Sequence, residues 1–209
     1  VMAAKSSTRR KAASPAWVVL KFGGTSVSSV ERWETIATLL RQRLAEGLRP
    51  VVVHSALATV SNKLDELLHR ALEMDVTAQV AGIRELHLRL AAGLQVDGEK
   101  ELGGYFRELE QLLAGIHLIR EVSPRIQARV MGLGELMATR LGAAYLARVG
   151  LKVTWLDARE LLRSNMPPGT NERSAWLAAN CDFDPDAELQ ARFAAEAGVV
   201  LTQGFIASN

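Results

Sequence analysis

Apolar residues in this chain fall into two patterns, short unbroken runs and longer stripes at helical spacing, and their alternation predicts a layered α/β fold. Trp17-Val18-Val19-Leu20 is an unbroken run of the kind expected of a strand buried on both faces of a parallel sheet. Val30, Trp33, Ile36, Ala37, Leu40 and Leu44 then recur at the spacing of an amphipathic helix, which Gly47 stops. Val51-Val52-Val53, between Pro50 and the turn His54-Ser55-Ala56, reads as a second strand. The resulting β-α-β unit places two parallel strands in one sheet with a right-handed crossover, and ligands of such sheets gather at the carboxyl ends of the strands. Lys21 and Ser55 stand there.

From residue 62 to 120 the pattern is almost wholly helical. Leu64, Leu67, Leu68, Ala71 and Leu72 form one stripe, Leu86, Leu90 and Leu94 a second, and Leu102, Phe106, Leu109, Leu112 and Leu113 a third after the break at Asp97-Gly98. This predicts an antiparallel helical insertion beside the sheet, its leucines forming core. Ser123 as cap and Pro124 at the first helical position start the next helix, which runs to about Val149 and stops at Gly150. Leu151 to Leu156 and Val199 to Phe205 complete the strand candidates. Between them lie a short helix, a Pro-Pro-Gly loop from Met166 to Asn171 that reads as a linker with a mobile lid as the alternative, and a helix through Ala187 to Ala197.

With 209 residues and 48% hydrophobic content, the chain can bury one substantial core. No stretch approaches the roughly 18 unbroken apolar residues of a membrane span and no signal peptide opens the sequence, so a cytoplasmic protein without a membrane partner is expected. Lys5, Arg9, Arg10 and Lys11 lie in a first segment without acidic residues, read as a disordered basic tail over 1–15. Setting those four cations aside leaves 21 basic against 23 acidic residues, too little positive charge for a nucleic-acid-binding body. Cys181 stands alone, and His54, His69, His87 and His117 show no metal-ligand spacing, so the histidines are expected at the surface or satisfied in the core, with no protein metal site. Asp157 and Glu160 flank a strand end without a recognisable partner.

The chemistry concentrates at Lys21-Phe22-Gly23-Gly24-Thr25-Ser26. Adjacent glycines after a strand allow a sharp turn with exposed N–H groups, Lys21 adds a full charge, and Ser28-Ser29-Val30-Glu31 fits a Ser-x-x-Glu capping box whose helix directs its positive end at the turn. Such a turn suits a phosphate, an ordinary strand-to-helix turn being the alternative for a bare Gly-Gly. The whole hexapeptide resembles the signature of the aspartokinases, members of the amino-acid kinase family that phosphorylate a carboxylate with ATP.

Three further stretches carry the same resemblance. Ser55-Ala56-Leu57-Ala58-Thr59-Val60-Ser61-Asn62 is similar to the family's Ser-Ala-x-x-x-x-Thr-Asn segment. It departs from the pattern at Ser61 in place of threonine, at Leu57 where serine is frequent, and at Thr59 where glycine is frequent. Ser61 also reads as a helix cap. Gly132-Leu133-Gly134-Glu135-Leu136-Met137-Ala138-Thr139 resembles the family's Gly-Glu-x-x-Ser/Ala segment, and Thr202-Gln203-Gly204-Phe205-Ile206-Ala207-Ser208 its strand-end Gln-Gly-Phe-Ile. Glu135 lies among apolar residues, where a carboxylate is costly unless it meets a cation, so it calls for a ligand or for an arginine such as Arg129 or Arg140. Gly132 and Gly134 do not make a dinucleotide fingerprint, since Met137 takes the third glycine's place and no strand precedes them.

The resemblance implies an amino-acid kinase-like three-layer sandwich over residues 16–209, with a mainly parallel sheet and a helical insertion, incomplete at its carboxyl end. It also implies ATP and Mg2+ as cofactors and L-aspartate as acceptor. ATP phosphates would fall to Lys21, Gly23, Gly24, Thr25 and Ser26, with Lys21 catalytic, and the amino acid to Ser55, Ser61, Glu135, Gly204 and Phe205. Aspartokinases continue past the point matching Asn209 into a Gly-Arg-Gly-Gly-Ser-Asp segment, an ATP-binding lobe and regulatory ACT domains. A fragment of a longer, oligomeric enzyme, inactive alone, is therefore expected. Asn180 to Phe183 and the Ala-Ser-Asn ending resemble aspartokinases fused to diaminopimelate decarboxylase. The alternatives are a kinase acting on glutamate or acetylglutamate, and a non-catalytic binding or regulatory module of the same fold.

Overall fold

The computed structural model describes residues 16–178, 180–182 and 184–208; the basic segment 1–15 lies outside them. Four strands, β1 (Trp17–Phe22), β2 (Arg49–His54), β3 (Val153–Trp155) and β4 (Val199–Gln203), form one all-parallel sheet in the order β1-β2-β4-β3. The helices are α1 (Val30–Ala45), α2 (Val60–Ala71), α3 (Thr77–Gly93), α4 (Gly98–Ile119), α5 (Pro124–Arg148), α6 (Ala158–Leu161), α7 (Glu172–Leu177) and α8 (Ala187–Ala195). The long elements fall where the apolar spacing places them. The six-residue α7 does not follow from the sequence, because it buries no residue and so shows no stripe.

Residues paired across parallel strands point to the same side, and this divides the sheet's side chains into two sets. Leu20, Val52, Val199, Leu201, Val153 and Trp155 join a core built from α1 to α5, while Val51, Val53, Val200 and Leu156 meet Leu161 of α6 and Phe193 of α8. The sheet is thus the middle of three layers. Arg49 fastens the thinner layer: its guanidinium lies 4.0 Å from the Trp17 ring centroid and donates to the carbonyls of Phe193, Ala194 and Glu196, the end of α8 where a cation is favoured. α5 is the central helix, and Gly142 lets it close on α1, since a Cβ there would overlap the fully buried Trp33 ring.

Two histidines are buried in this core, and neither is satisfied as the sequence suggested. His54 Nδ1 lies 2.9 Å from the Ser55 carbonyl and His87 Nδ1 lies 2.9 Å from that of Ile83, but both Nε2 atoms are buried without a partner among the described residues. Burial lowers the pKa of His54 to about 4 against the opposing effect of its bond to Ser55, and burial lowers that of His87 as well. The unfolded chain takes up these protons near pH 6.5, the folded chain only further into acid, so stability present above pH 6.5 is lost as the pH falls toward 4. For His54 alone the loss is on the order of 3 kcal/mol. Urea unfolding at a series of pH values should show this decline, and His54→Leu should flatten it; an unchanged slope in the variant would assign the acid sensitivity elsewhere.

Candidate active site

The register aligns Phe22, His54 and Gln203 in one row across β1, β2 and β4, so three of the four motifs leave the sheet side by side at its carboxyl edge. β1 runs on through Lys21 and Phe22, which puts the lysine within the strand rather than past it. A 3-10 turn, Gly24–Val27, then separates β1 from α1. The cap of α1 is Ser29, whose side chain accepts from Arg32 N at 3.4 Å, not Ser28. Ser28 Oγ instead donates to the Gly24 carbonyl at 2.6 Å and accepts from Ala58 N at 2.8 Å, latching the glycine turn to the loop after β2.

The two glycines serve different ends. Gly23 has an extended backbone, φ −78°, is exposed, and has nothing within 4 Å of where a Cβ would stand, so its surface is open to a ligand. Gly24 is needed for close approach: a Cβ would lie 2.6 Å from the Ala56 carbonyl oxygen and 3.2 Å from Ala58 N, both backbone atoms. Gly24→Ala should therefore push the two loops apart at a cost of about 1 to 3 kcal/mol. Thermal unfolding of the variant checks this, and an unchanged Tm would mean that the loops have room to yield.

The third motif approaches from behind. A Cβ on Gly134 would come within 3.0 Å of Leu64, 3.2 Å of Ala56 and 3.2 Å of Val60, so the missing side chain lets α5 press onto α2 and the Ser55–Ser61 loop. The next residue, Glu135, is 6% exposed. Neither candidate arginine meets it, for Arg129 pairs with Glu108 and Arg140 with Glu101. Its Oε2 accepts from Gly204 N at 3.1 Å and Phe205 N at 3.0 Å, which ends β4 two residues before the apolar run does; Oε1 has no hydrogen bond to another described residue. Burial raises the Glu135 pKa, while the Phe205 and Gly204 amides and the charge of Lys21 pull it back. A carboxylate held this way in a desolvated setting is poised for a cation.

Lys21 stands on the open side of the same cluster. It is exposed, makes no ion pair with a described residue, and its Nζ lies 5.1 Å from the ring centroid of Phe205, itself 71% exposed. Lys21, Gly23, Gly24, Glu135, Gly204 and Phe205 are thus brought into one neighbourhood, with Thr25 and Ser26 in the turn and Ser55 half-buried beside it. Ser61 is an exposed residue of the first turn of α2 and does not cap it; the cap position is Thr59, without a capping bond and at φ +68°. That left-handed backbone is the physical content of a position where glycine is frequent.

One network escaped the sequence reading. Thr139 Oγ1, one turn after Glu135, donates to the Glu135 carbonyl at 2.8 Å and accepts from Gln203 Nε2 at 2.8 Å and Trp155 Nε1 at 3.0 Å, while Gln203 Oε1 accepts from Ala158 N at 2.7 Å. It ties α5 to β3, β4 and α6 and fixes the turn that carries Glu135. The only signal was a threonine and a glutamine inside two motifs. Asp157, which showed no partner in the sequence, caps α6 and pairs with Arg159 at 2.7 Å; Glu160 lies 3.6 Å from Arg192. A groove of about 730 Å³ lined by Arg163, Asp182, Asp186 and Arg192 gathers none of the predicted groups.

The described residues hold no group of three His, Cys, Asp or Glu side chains able to bind a metal, and none of their helices is long and apolar enough to cross a membrane. The donors at the strand ends are a lysine and amide N–H groups, which suit phosphate oxygens.

Comparison with known proteins bears on the family and the fold. Aspartokinase 2, chloroplastic, of Arabidopsis thaliana is 40% identical over 151 residues, covering 68% of this chain and 27% of that protein. Lysine-sensitive aspartokinase 3 of Escherichia coli is 29% identical over 197 residues, covering 92% of this chain and 41% of that one. The crystal structure of E. coli aspartokinase III in complex with aspartate and ADP superposes with a TM-score of 0.73 at 27% identity, again over 92% of this chain and 41% of the other. The chain therefore spans well under half the length of these relatives. The sequence model of the amino acid kinase family matches residues 16–209, and with the parallel sheet and its strand-end cluster in place, the chain belongs to that family.

Proposed function

We propose that this chain is the acceptor-binding part of an aspartate kinase, which transfers the γ-phosphoryl group of ATP to the β-carboxylate of L-aspartate. The observation that carries the reading is the meeting, at the carboxyl ends of the strands, of an exposed lysine beside an open glycine turn and a buried carboxylate from α5 that has no ion pair with a described residue. Lys21 and the Gly23 and Gly24 amides neutralise charge on the phosphates, with the hydroxyls of Thr25 and Ser26 beside them. Glu135 takes the ammonium group of aspartate. Ser55, Ser61 and the Gly204-Phe205 turn border the amino acid.

The chemistry asks for little more from these residues. A β-carboxylate is already ionised at neutral pH, so its oxygen attacks the γ-phosphorus and ADP leaves without a general base. Catalysis then rests on alignment and on charge neutralisation. ATP would enter as its Mg2+ complex, the metal lending further positive charge to the phosphates that Lys21 and the glycine amides meet. The similarity to aspartokinases that include a complex with aspartate and ADP supports this choice of substrates.

A coupled ADP-release assay on the full-length protein tests the proposal. L-Aspartate should stimulate ADP release well above glutamate or N-acetylglutamate, and the product should be trapped by hydroxylamine as a hydroxamate. Preference for either other acceptor, or ADP release indifferent to amino acids, would overturn it.

A further inference from the structure

We infer that His54 is a positioning residue for the acceptor loop: its Nδ1–H fixes the peptide through which the Ser55 hydroxyl is presented. The inference rests on the reading of Ser55 as a residue that borders the amino acid. A carbonyl oxygen can only accept, so the 2.9 Å contact from His54 Nδ1 to the Ser55 carbonyl places the ring proton on Nδ1 and leaves Nε2 a bare acceptor. That nitrogen is buried with no partner among the described residues, facing α5 where a Cβ on Gly142 would come within 3.1 Å of it, and the ring stands edge-on to Trp33 with centroids 5.4 Å apart. An aliphatic side chain of similar size would fill this apolar pocket without stranding a polar atom, so packing does not account for the imidazole.

The bond it does make runs to the next residue in the chain and therefore adds nothing to tertiary connection. Its effect is local, setting the rotation about the Ser55 Cα–C bond at the point where β2 gives way to the loop. The rest of that loop is held from the opposite side. Ser55 N donates to the Phe22 carbonyl at 3.3 Å, the Ala56 carbonyl lies against Gly24, and Ala58 N donates to Ser28 Oγ. Val60 N donates to the Leu57 carbonyl at 3.1 Å and closes the far end of the loop, while the His54 bond acts on the peptide that directly follows Ser55, a proposed acceptor ligand.

Two variants separate this role from a merely structural one. In the full-length protein, His54→Leu keeps the apolar volume, loses the Nδ1 donor and removes the stranded Nε2. Its Tm should be equal or higher, while KM for aspartate rises about tenfold with kcat within twofold, the expected effect of one lost hydrogen bond. His54→Asn places an amide donor where Nδ1 stood but leaves a void; its Tm should fall while KM returns to within about threefold of the parent. Hydrogen exchange at the Ala58 amide reads the same loop without substrate, and should accelerate about tenfold in His54→Leu and little in His54→Asn. Unchanged KM and exchange in His54→Leu, or the same rise in both variants, would overturn the inference. Failure of the parent to phosphorylate aspartate counts against the proposed function instead, and leaves the exchange comparison to decide the role of His54.

Discussion

Lys21→Ala in the full-length protein is expected to lower kcat by about 10² to 10³-fold, the usual consequence of deleting one preorganised charge from a site where charge develops. The fold should not notice. Lys21 is exposed and bound to no described carboxylate, and the contact of its ammonium with the face of Phe205 at 5.1 Å is of a kind worth about 0.5 to 1 kcal/mol at an exposed position. The variant should therefore unfold within a degree or two of the parent while nearly all turnover is gone. Lys21→Arg keeps the charge on a larger, planar head and should recover only part of the rate. A variant with full turnover would remove Lys21 from the phosphates, and one that loses rate and stability together would make the residue structural.

Glu135→Gln is expected to weaken aspartate binding by about 1.5 to 3 kcal/mol, the contribution of a hydrogen bond to a charged partner, or roughly 10- to 100-fold. Glutamine keeps an acceptor oxygen for the Gly204 and Phe205 amides, so the turn after β4 should persist and the loss should report on charge. Glu135→Ala is the control: it strands both amides and the turn should loosen. Burial favours the neutral form of Glu135 in the free protein, and an incoming ammonium favours the ionised form, so binding should release protons and affinity should rise as the pH climbs through the raised pKa. In the glutamine variant that pH dependence should vanish. Calorimetry in two buffers of different ionisation enthalpy measures the proton release directly.

The layered fold was legible because burial writes itself into apolar spacing. The Val51-Val52-Val53 run, the Trp33 to Leu40 stripe and the Ser123-Pro124 start of α5 each correspond to an observed element with its expected face inward. The four motifs, three at strand ends and one on α5, were legible as residue types. What they touch was not. The partners of Glu135 are two backbone amides about seventy residues further on, and backbone groups carry no sequence signal. Gly24 looked like a conformational glycine, yet its conformation is ordinary and its need comes from the neighbouring loop. Ser28 and Ser29 both fit the start of α1, and only packing shows that one caps the helix while the other bridges two loops. His54 gave no sign of burial because its neighbours in space, Trp33 and Gly142, lie on two helices far apart in sequence.

The central claim is that Glu135, which reaches the strand ends from α5, seats the ammonium group of an amino-acid acceptor. Comparing L-aspartate with succinate, which keeps both carboxylates and lacks the ammonium, tests it most directly by titration calorimetry on the full-length protein and on Glu135→Gln. The parent should prefer aspartate by at least about tenfold, and Glu135→Gln should bind the two nearly alike. A preference for aspartate that survives the substitution unchanged would contradict the account.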